Sequence, residues 1–271
     1  MEIRNQIVVL IRFSYATTGD FYPGFDDVAA MEAFLFDPSR LARRFALFEA
    51  VCLPSLLGQS ERDFKTVFLV GAHMPTNWRQ KLDILCREIP GATVIAAPPQ
   101  PHYAGIKAAF ETIPTEGFTH RTTVRLDDDD AVDNDFIARL KSLAPKAALI
   151  GDPTRPTAIA HNRGFFLERR EDKTVVFPTI ERTPLSVGAA LIAPVAYREN
   201  IYLVDHRQLP QNFTTYCDTE HYAYIRTVHR DNKSNAHRTG TKMQMPNREI
   251  DAILRAQFGR KLGFFRHFAG A

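Results

Sequence analysis

The sequence has little cysteine, no long apolar run and almost no excess of charge, and each shortage excludes a class of protein. Of 271 residues only three are cysteines, Cys52, Cys86 and Cys217. Their odd number and their spacing argue against a disulfide framework and a zinc site, and predict reduced thiols in a cytoplasmic protein. The net charge of +3 requires no nucleic-acid partner, although clustered basic residues would suit an anionic ligand. The apolar run at residues 7–11 is too short for a signal peptide or a membrane span, and no later run is long enough.

What the chain does contain is an alternation of buried strands and helices over residues 1–150. Continuous apolar runs at 6–12, 63–70 and 92–97 predict strands that are covered on both faces, and a further strand precedes the acids at Asp127. This alternation indicates an α/β fold with a mostly parallel, Rossmann-like sheet and helices on both faces.

Helix start signals lie between these strands. Asp37 before Pro38 predicts a capped helix towards residue 56, and Thr76 predicts the cap of another. A helix is expected over residues 135–143, followed by a short strand at 147–150.

The second half has a different pattern. Apolar runs at 165–168 and 173–177 predict a β-hairpin, and residues 213–228 predict a helix that leads into a strand. Asn247 is expected to cap a final helix. We find no clear linker, and we expect one domain over residues 1–271, whose first 150 residues bind donor and metal while the rest forms the acceptor side and a C-terminal elaboration.

Four consecutive acids, Asp127 to Asp130, follow the strand that ends in Val124-Arg-Leu126. Adjacent carboxylates repel one another, and the C-terminal ends of parallel strands are where ligands bind in open α/β sheets. Oxygen ligands with room for water suit Mg²⁺ or Mn²⁺ better than Zn²⁺. The simpler alternative is a solvated acidic turn that caps the next helix.

With these acids in place, the chain resembles nucleotide-sugar glycosyltransferases of the GT-A fold. The segment Arg125-Leu-Asp-Asp-Asp-Asp130 is similar to their Asp-x-Asp motif. The segment 44–59, which ends in Pro-Ser-Leu-Leu-Gly-Gln, and the late segment 226–234 resemble the putative rhamnosyltransferase family of bacteria. The resemblance covers roughly residues 6–260.

The resemblance implies transfer of a sugar from a nucleoside-diphosphate donor, with a bound Mn²⁺ or Mg²⁺, to a saccharide or lipid-linked acceptor. Asp127 and Asp129 match the two acids of Asp-x-Asp, and Asp130 is an additional metal contact. Asp127 would also contact the donor, as would Arg125. Because the run has four acids, the register can shift by one residue, and which acid ligates directly stays open.

Other donor-side residues follow from the same resemblance. Arg226 and Lys233 are suited to close over the diphosphate, and His229 is either a metal ligand or a surface residue. Arg12 and Phe13 leave the first strand where the nucleotide base normally packs. Residues 70–73 lack the acid that reads the base in many members, so the nucleotide stays open.

An inverting transferase also needs a general base that takes the proton of the acceptor hydroxyl. The segment Asp218-Thr-Glu-His221 resembles the acidic segment of inverting members, which makes Asp218 and Glu220 the candidates. The alternative is that both acids lie on a solvated helix face.

Two other functions fit parts of the sequence. A haloacid dehalogenase-type phosphatase would use Asp128 as nucleophile and Asp130 as acid/base, although the motif stands late in the chain and Gly151-Asp152 lacks the later acid of that family. A protein that binds metal and nucleotide without turnover is the third interpretation. No register of the acids supplies the Gly of an EF-hand loop.

The C-terminal residues 260–268 are basic and aromatic. They predict either a terminal helix packed on the domain or a peripheral contact with the inner face of a membrane.

Overall fold

The computed structural model describes residues 2–19, 21–22, 24–89, 91–170, 173–229 and 240–267. The strands in these residues are β1 (Asn5–Phe13), β2 (Thr17–Thr18), β3 (Lys65–Gly71), β4 (Ala92–Ala97), β5 (Gln100–Pro101), β6 (His120–Asp127), β7 (Ala131–Val132), β8 (Thr157–His161), β9 (Arg163–Arg170), β10 (Lys173–Ile180), β11 (Ala190–Pro194), β12 (Thr214–Asp218), β13 (Tyr224–Val228) and β14 (Thr241–Lys242). The helices are α1 (Val28–Leu35), α2 (Pro38–Leu47), α3 (Leu53–Leu57), α4 (Thr76–Cys86), α5 (His102–Glu111), α6 (Phe136–Ile150), α7 (Leu209–Asn212), α8 (Asn247–Phe258) and α9 (Leu262–His267). A π-helical turn, Phe48–Cys52, joins α2 to α3, and a 3₁₀ turn, His206–Gln208, precedes α7.

The larger sheet has seven strands in the order β12-β8-β11-β6-β1-β3-β4. All neighbours are parallel except β11, which runs antiparallel to both β6 and β8. This arrangement confirms the prediction of a GT-A-like α/β fold with a mostly parallel sheet.

The central strand β1 is apolar throughout because both faces of the sheet are covered. Ile7, Val9 and Ile11 belong to one core cluster, which includes side chains from α2 and α6. Val8 and Leu10 point to the other face and belong to a second cluster, which includes side chains from α5. A strand buried on both sides has no reason to alternate polar with apolar residues.

A smaller sheet, β14-β10-β9-β13-β7, comes mostly from the second half of the chain. Its β9 and β10 pair in the antiparallel manner, which confirms the predicted hairpin. Helices α8 and α9 cover this sheet, since Leu254 and Phe265 share a core cluster with Phe165 and Ile225.

The strand predicted at residues 147–150 is wrong, because these residues form the last turn of α6. Ala144, Ala147 and Ala148 are buried at the spacing of one helical face, and alanine is the strongest helix former. The helix continues through Pro145, so the proline does not end it.

The helix predicted at the start of residues 213–228 is also wrong. The segment forms two strands, β12 and β13, and β12 pairs in parallel with β8 at the edge of the larger sheet. Its residues Thr214, Thr215 and Tyr216 are β-branched or aromatic, which favours a strand.

Of the predicted helix caps, Asp37 is confirmed, since its Oδ1 accepts a hydrogen bond of 2.9 Å from the backbone N–H of Arg40. Thr76 and Asn247 are instead the first residues of their helices. Pro75 and Pro246 hold the cap positions, with extended ψ angles that lead the chain into each helix.

Candidate active site

The acidic run begins at the C-terminal end of β6 and turns back at once. The backbone N–H of Asp130 donates to the carbonyl of Asp127 at 3.2 Å, which closes a tight turn. Asp128, Asp129 and Asp130 are each exposed by 4 % or less. Buried carboxylates at this density require positive partners or hydrogen bonds.

Arg12 is the partner of Asp127. The two residues stand opposite each other at the ends of β1 and β6, and Arg12 Nη2 lies 3.0 Å from Asp127 Oδ1. Burial alone would raise the pKa of Asp127, but the charges of Arg12 and Arg125 outweigh it and lower that pKa. Asp127 is therefore held as a carboxylate.

Arg44, which projects from α2, neutralises the next two acids. Its guanidinium donates to both oxygens of Asp128, and its Nη1 donates to Asp129 Oδ2 at 3.0 Å. His229 Nε2 lies 2.8 Å from the same oxygen of Asp129. Burial opposes ionisation of Asp129, but Arg44 and His229 outweigh it and lower its pKa, whereas burial prevails at Asp128 and raises its pKa.

Asp130 differs from its neighbours because no arginine within the described residues forms a salt bridge with it. Its Oδ1 accepts a hydrogen bond of 2.9 Å from the backbone N–H of Thr227. Burial and the charge of Asp129 raise the pKa of Asp130 well above its usual range, although Arg226 opposes this. The charged form of Asp130 is thus disfavoured at this point.

The acids line a cavity of about 750 Å³ at the C-terminal ends of β1 and β6. Two arginines of its wall, Arg125 and Arg226, have no carboxylate within salt-bridge distance among the residues that the structure describes. The guanidinium of Arg125 lies 5.0 Å from the ring centre of Tyr202, and Arg226 Nη1 donates to Ser186 Oγ at 3.4 Å. Both face space that an anion could fill.

Aromatic side chains form another part of this wall, and they come from the segment between β1 and α2. These are Phe21, Tyr22, Phe25 and Phe34. The ring of Phe21 stacks on His102, with ring centres 3.5 Å apart. The predicted aromatic, Phe13, is instead fully buried in the core.

The two candidate bases do not line this cavity. Asp218 ends β12, is 3 % exposed and accepts hydrogen bonds from the backbone N–H groups of Glu220 and His221 and from His221 Nδ1. Burial opposes the ionisation of Asp218, but hydrogen bonds from His161 and from this turn lower its pKa strongly. Glu220 is exposed, and no hydrogen bond to its carboxylate occurs in the described structure.

Of the other predicted residues, the structure brings Arg12, Arg125, Asp127 and Arg226 together around the cavity. Lys233 lies outside the described residues.

Sequence reasoning missed Arg44, Tyr202 and His206. A signal for Arg44 existed, because Arg40 and Arg44 lie four residues apart among the apolar residues of α2's buried face. No pattern marked Tyr202 or His206, which reach the cavity from an irregular segment after β11.

The donor types at the acidic turn fit a divalent cation: the carboxylates of Asp127, Asp129 and Asp130 and the imidazole of His229. The raised pKa of Asp130 marks a place where added positive charge would be favourable. Among the described residues, no group of three or more His, Cys, Asp or Glu side chains is arranged to hold an ion. Arg12 and Arg44 hold carboxylates that would have to turn towards it.

In the part of the chain that the structure covers, no helix combines the length and the apolar character needed to cross a bilayer.

Comparison with protein families gives one match over most of the chain. A family model described as putative rhamnosyl transferase matches residues 6–241. No curated protein matches the chain.

Among solved structures, the chain is similar to TarS of S. aureus. A structure of TarS 1–349 in complex with UDP-GlcNAc has a TM-score of 0.47 and 13 % identity, and the match covers 93 % of this chain and 65 % of that chain. A structure of TarS has a TM-score of 0.43 and 10 % identity, covering 83 % and 37 %. A complex of TarS 1–349 with UDP has a TM-score of 0.41 and 13 % identity, covering 82 % and 60 %. The chain thus spans less than two thirds of the length of these proteins.

Proposed function

Since the chain belongs to the putative rhamnosyl transferase family, we propose that it transfers a sugar from a nucleoside-diphosphate donor to a hydroxyl group of an acceptor. The observation that carries this proposal is the cavity at the end of the parallel sheet. It places two arginines without carboxylate partners, Arg125 and Arg226, beside the acidic turn.

These arginines have the chemistry that a diphosphate requires. Guanidinium groups donate two parallel hydrogen bonds to phosphate oxygens, and they stay charged at every working pH. The bond that breaks in sugar transfer leaves negative charge on the diphosphate, and donors fixed in advance stabilise that charge. Arg12 and Arg44 pair with Asp127, Asp128 and Asp129, whereas Arg125 and Arg226 form no salt bridge among the described residues, so we assign Arg125 and Arg226 to the donor.

We also propose that Asp127, Asp129, Asp130 and His229 hold Mn²⁺ or Mg²⁺. When bound, such an ion supplies Lewis-acid stabilisation of the phosphate charge. Arg12 and Arg44 would keep the acids ionised and oriented before the donor arrives.

Inversion at the sugar carbon requires a base, and Asp218 and Glu220 remain the proposed candidates. Glu220 is the more accessible of the two, because the hydrogen bonds to Asp218 occupy that buried carboxylate. Loss of a working base should lower kcat by about 10²- to 10⁴-fold. Measuring kcat and donor Kd for Glu220→Gln and Asp218→Asn tests this, and full activity in both variants would remove the base assignment.

The family description supports rhamnose as the sugar. As acceptor we propose a saccharide or a lipid-linked molecule. Peripheral membrane contact through the C-terminal tail remains part of this proposal. Leu262 and Phe265 of α9 are buried, while Phe264 is exposed beside Arg260. Sedimentation with anionic liposomes tests it, since absence of salt-sensitive binding would remove this contact.

The decisive experiment is a thermal-shift assay with Mn²⁺ or Mg²⁺ and a panel of UDP, dTDP and GDP. A ligand at 100 times its Kd should add about 2.7 kcal/mol of stability. We expect a metal-dependent shift with one nucleotide, and we expect Asp127→Ala/Asp129→Ala to lose it. Asp133→Ala is the control and should retain the shift, because Asp133 is an equally buried acid that pairs with an arginine outside the cavity.

Other outcomes separate the alternatives. A shift with Mg²⁺ and beryllofluoride but with no nucleotide would favour the phosphatase, which needs Asp128 as a free nucleophile although Arg44 holds both of its oxygens. Nucleotide binding without transfer to any acceptor tested would favour a binding protein.

A further inference from the structure

His206 is a buried histidine in the cavity wall that the proposed chemistry does not yet use. It is the first residue of the 3₁₀ turn that lies between β11 and α7, and 11 % of its side chain is exposed. Neither ring nitrogen has a hydrogen-bond partner within the described residues. The nearest carboxylate oxygen, Asp205 Oδ1, lies 3.9 Å from Nδ1, which is too far for a hydrogen bond.

Its surroundings keep this imidazole neutral. Burial lowers the pKa of His206 to about 3, and the positive charges of Arg125, Arg207 and Arg226 add to that effect against the opposing charge of Asp205. The ring therefore carries one N–H donor and one acceptor nitrogen at neutral pH.

Several other groups of the wall have both capacities, but some are already engaged, since Ser14 Oγ accepts from Arg40 and Ser186 Oγ accepts from Arg226. The arginines of the wall only donate and its carboxylates only accept, so they match phosphates and cations respectively. A sugar hydroxyl donates and accepts at once, which is the complement of a neutral imidazole. Buried polar groups in folded proteins are normally hydrogen-bonded, and both nitrogens of His206 are buried without a partner among the described residues. Because the residue lines the cavity, this points to a ligand as the missing partner, which the imidazole would turn to meet.

We propose that His206 is a specificity-determining residue that hydrogen-bonds a hydroxyl group of the donor's sugar. The inference rests on the proposed function, since it requires a nucleotide sugar in this cavity. Arg125, Arg226 and His206 all line the cavity, and the charges of both arginines act on the imidazole, so a diphosphate held by the arginines would leave its sugar in the same part of the cavity as His206.

The test is calorimetric titration with UDP, dTDP and GDP and with UDP-GlcNAc, dTDP-rhamnose and GDP-mannose. For the pair that binds wild type, His206→Phe should leave the Kd of the nucleoside diphosphate within about twofold and weaken the nucleotide sugar about 10-fold. His206→Gln, which keeps a donor and an acceptor, should retain most of the affinity. His161→Phe is the control, because it makes the same replacement at another buried histidine that does not line the cavity.

Nucleotide sugars that each lack one hydroxyl group test which hydroxyl His206 binds. Wild type should lose about 10-fold in affinity for one deoxy analogue, and His206→Phe should show no further loss for that analogue, since paired changes that remove the same bond are not additive. Equal weakening of diphosphate and nucleotide sugar would overturn the inference and assign His206 to the phosphates. Unchanged binding of both would also overturn it.

If no nucleotide binds wild type, the proposed function fails together with the inference. Should His206→Phe not fold, His206→Ala takes its place in both measurements, and a loss that adds to that of the deoxy analogue would contradict a shared hydrogen bond.

Discussion

Two clusters of buried acids stand at strand ends of the same sheet, and they differ in what their carboxylates face. The cavity cluster comprises Asp127–Asp130 with Arg12 and Arg44, and it lines open space. The turn cluster comprises Asp133, Asp218, Arg139, His161 and His221 near the end of β12, and none of its members lines the cavity.

The comparison shows that a strongly shifted pKa does not by itself identify a functional acid. The pKa values of Asp129 and Asp218 are both lowered, but Asp218 is stabilised mainly by its own turn and by histidines. In the cavity cluster, the pKa of Asp130 is raised, and neither Arg125 nor Arg226 forms a salt bridge among the described residues. Unbalanced charge around a cavity, rather than burial, distinguishes a candidate site from a structural network.

The largest difference between the clusters should appear when their arginines are removed. Arg44→Met removes the guanidinium that both Asp128 and Asp129 contact inside the protein, so we expect a loss of about 3–5 kcal/mol in the free energy of unfolding. Arg139→Met should cost clearly less, because Asp218 keeps its backbone donors and Asp133 keeps the backbone N–H of Asp135.

Urea denaturation with a chelator present measures both variants. Equal losses would mean that the two clusters depend on their arginines to the same degree. Added Mn²⁺ should restore part of the stability of Arg44→Met alone, since a cation can take over the charge that Arg44 supplied.

Ligand binding should separate the clusters next. Arg125→Met or Arg226→Met should weaken the binding free energy of the nucleoside diphosphate by about 2–3 kcal/mol, which is the range for a hydrogen bond to a charged group. The Kd should rise accordingly. Arg163→Met is the matched control, because Arg163 also lies over a tyrosine ring, 4.3 Å from the centre of Tyr222, but outside the cavity. An equal effect of Arg163→Met would show that the arginines act through the fold.

The contributions of Asp218 and Asp130 to the stability of the fold should change with pH in opposite directions. The folded pKa of Asp218 is lowered, so its contribution to stability is present above the unfolded value of about 3.9 and is lost as pH falls towards the folded pKa. The folded pKa of Asp130 is raised, so its contribution is present at low pH and is lost as pH rises through that pKa.

At pH 7 without metal, Asp218→Asn should therefore lose about 1–2 kcal/mol through its broken hydrogen bonds. Asp130→Asn should be more stable than wild type, because an amide still accepts from Thr227 without carrying charge. Stability curves from pH 3 to pH 8 in EDTA check this. A destabilised Asp130→Asn would contradict the raised pKa of Asp130.

Much of the fold could be predicted because burial on both faces leaves a direct mark on the sequence. The runs in β1 and β3 are continuous and apolar, and the hairpin β9-β10 is bounded by charged residues. The errors occurred where local composition supports either state. Ala147 and Ala148 look like a short buried strand, yet they continue a helical face, and β12 owes its strand pairing to β8, which is far away in sequence.

The part of the candidate site at the end of β6 could be predicted from the sequence, whereas the residues that reach it from distant segments could not. The adjacent acids mark the end of β6, and Arg12 follows from the register of β1. Arg44 left one local signal, its four-residue spacing from Arg40 on the buried face of α2. Tyr202 and His206 come from a segment whose position depends on tertiary packing, so no spacing in the sequence marks them. The balance of partners that separates Asp130 from Asp218 is likewise visible only in three dimensions.

The smallest expected effect would show what holds the turn cluster together. His221 Nδ1 lies 2.8 Å from Asp218 Oδ2, but 49 % of the imidazole is exposed. His221→Gln should therefore cost less than about 1 kcal/mol, as exposed charged pairs do, and it should leave the acid limb of the stability curve nearly unchanged. Asp218 would still accept from the backbone N–H groups of Glu220 and His221, which do not depend on the side chain. A loss as large as that of Asp218→Asn would instead show that the imidazole, and not the backbone turn, stabilises this carboxylate.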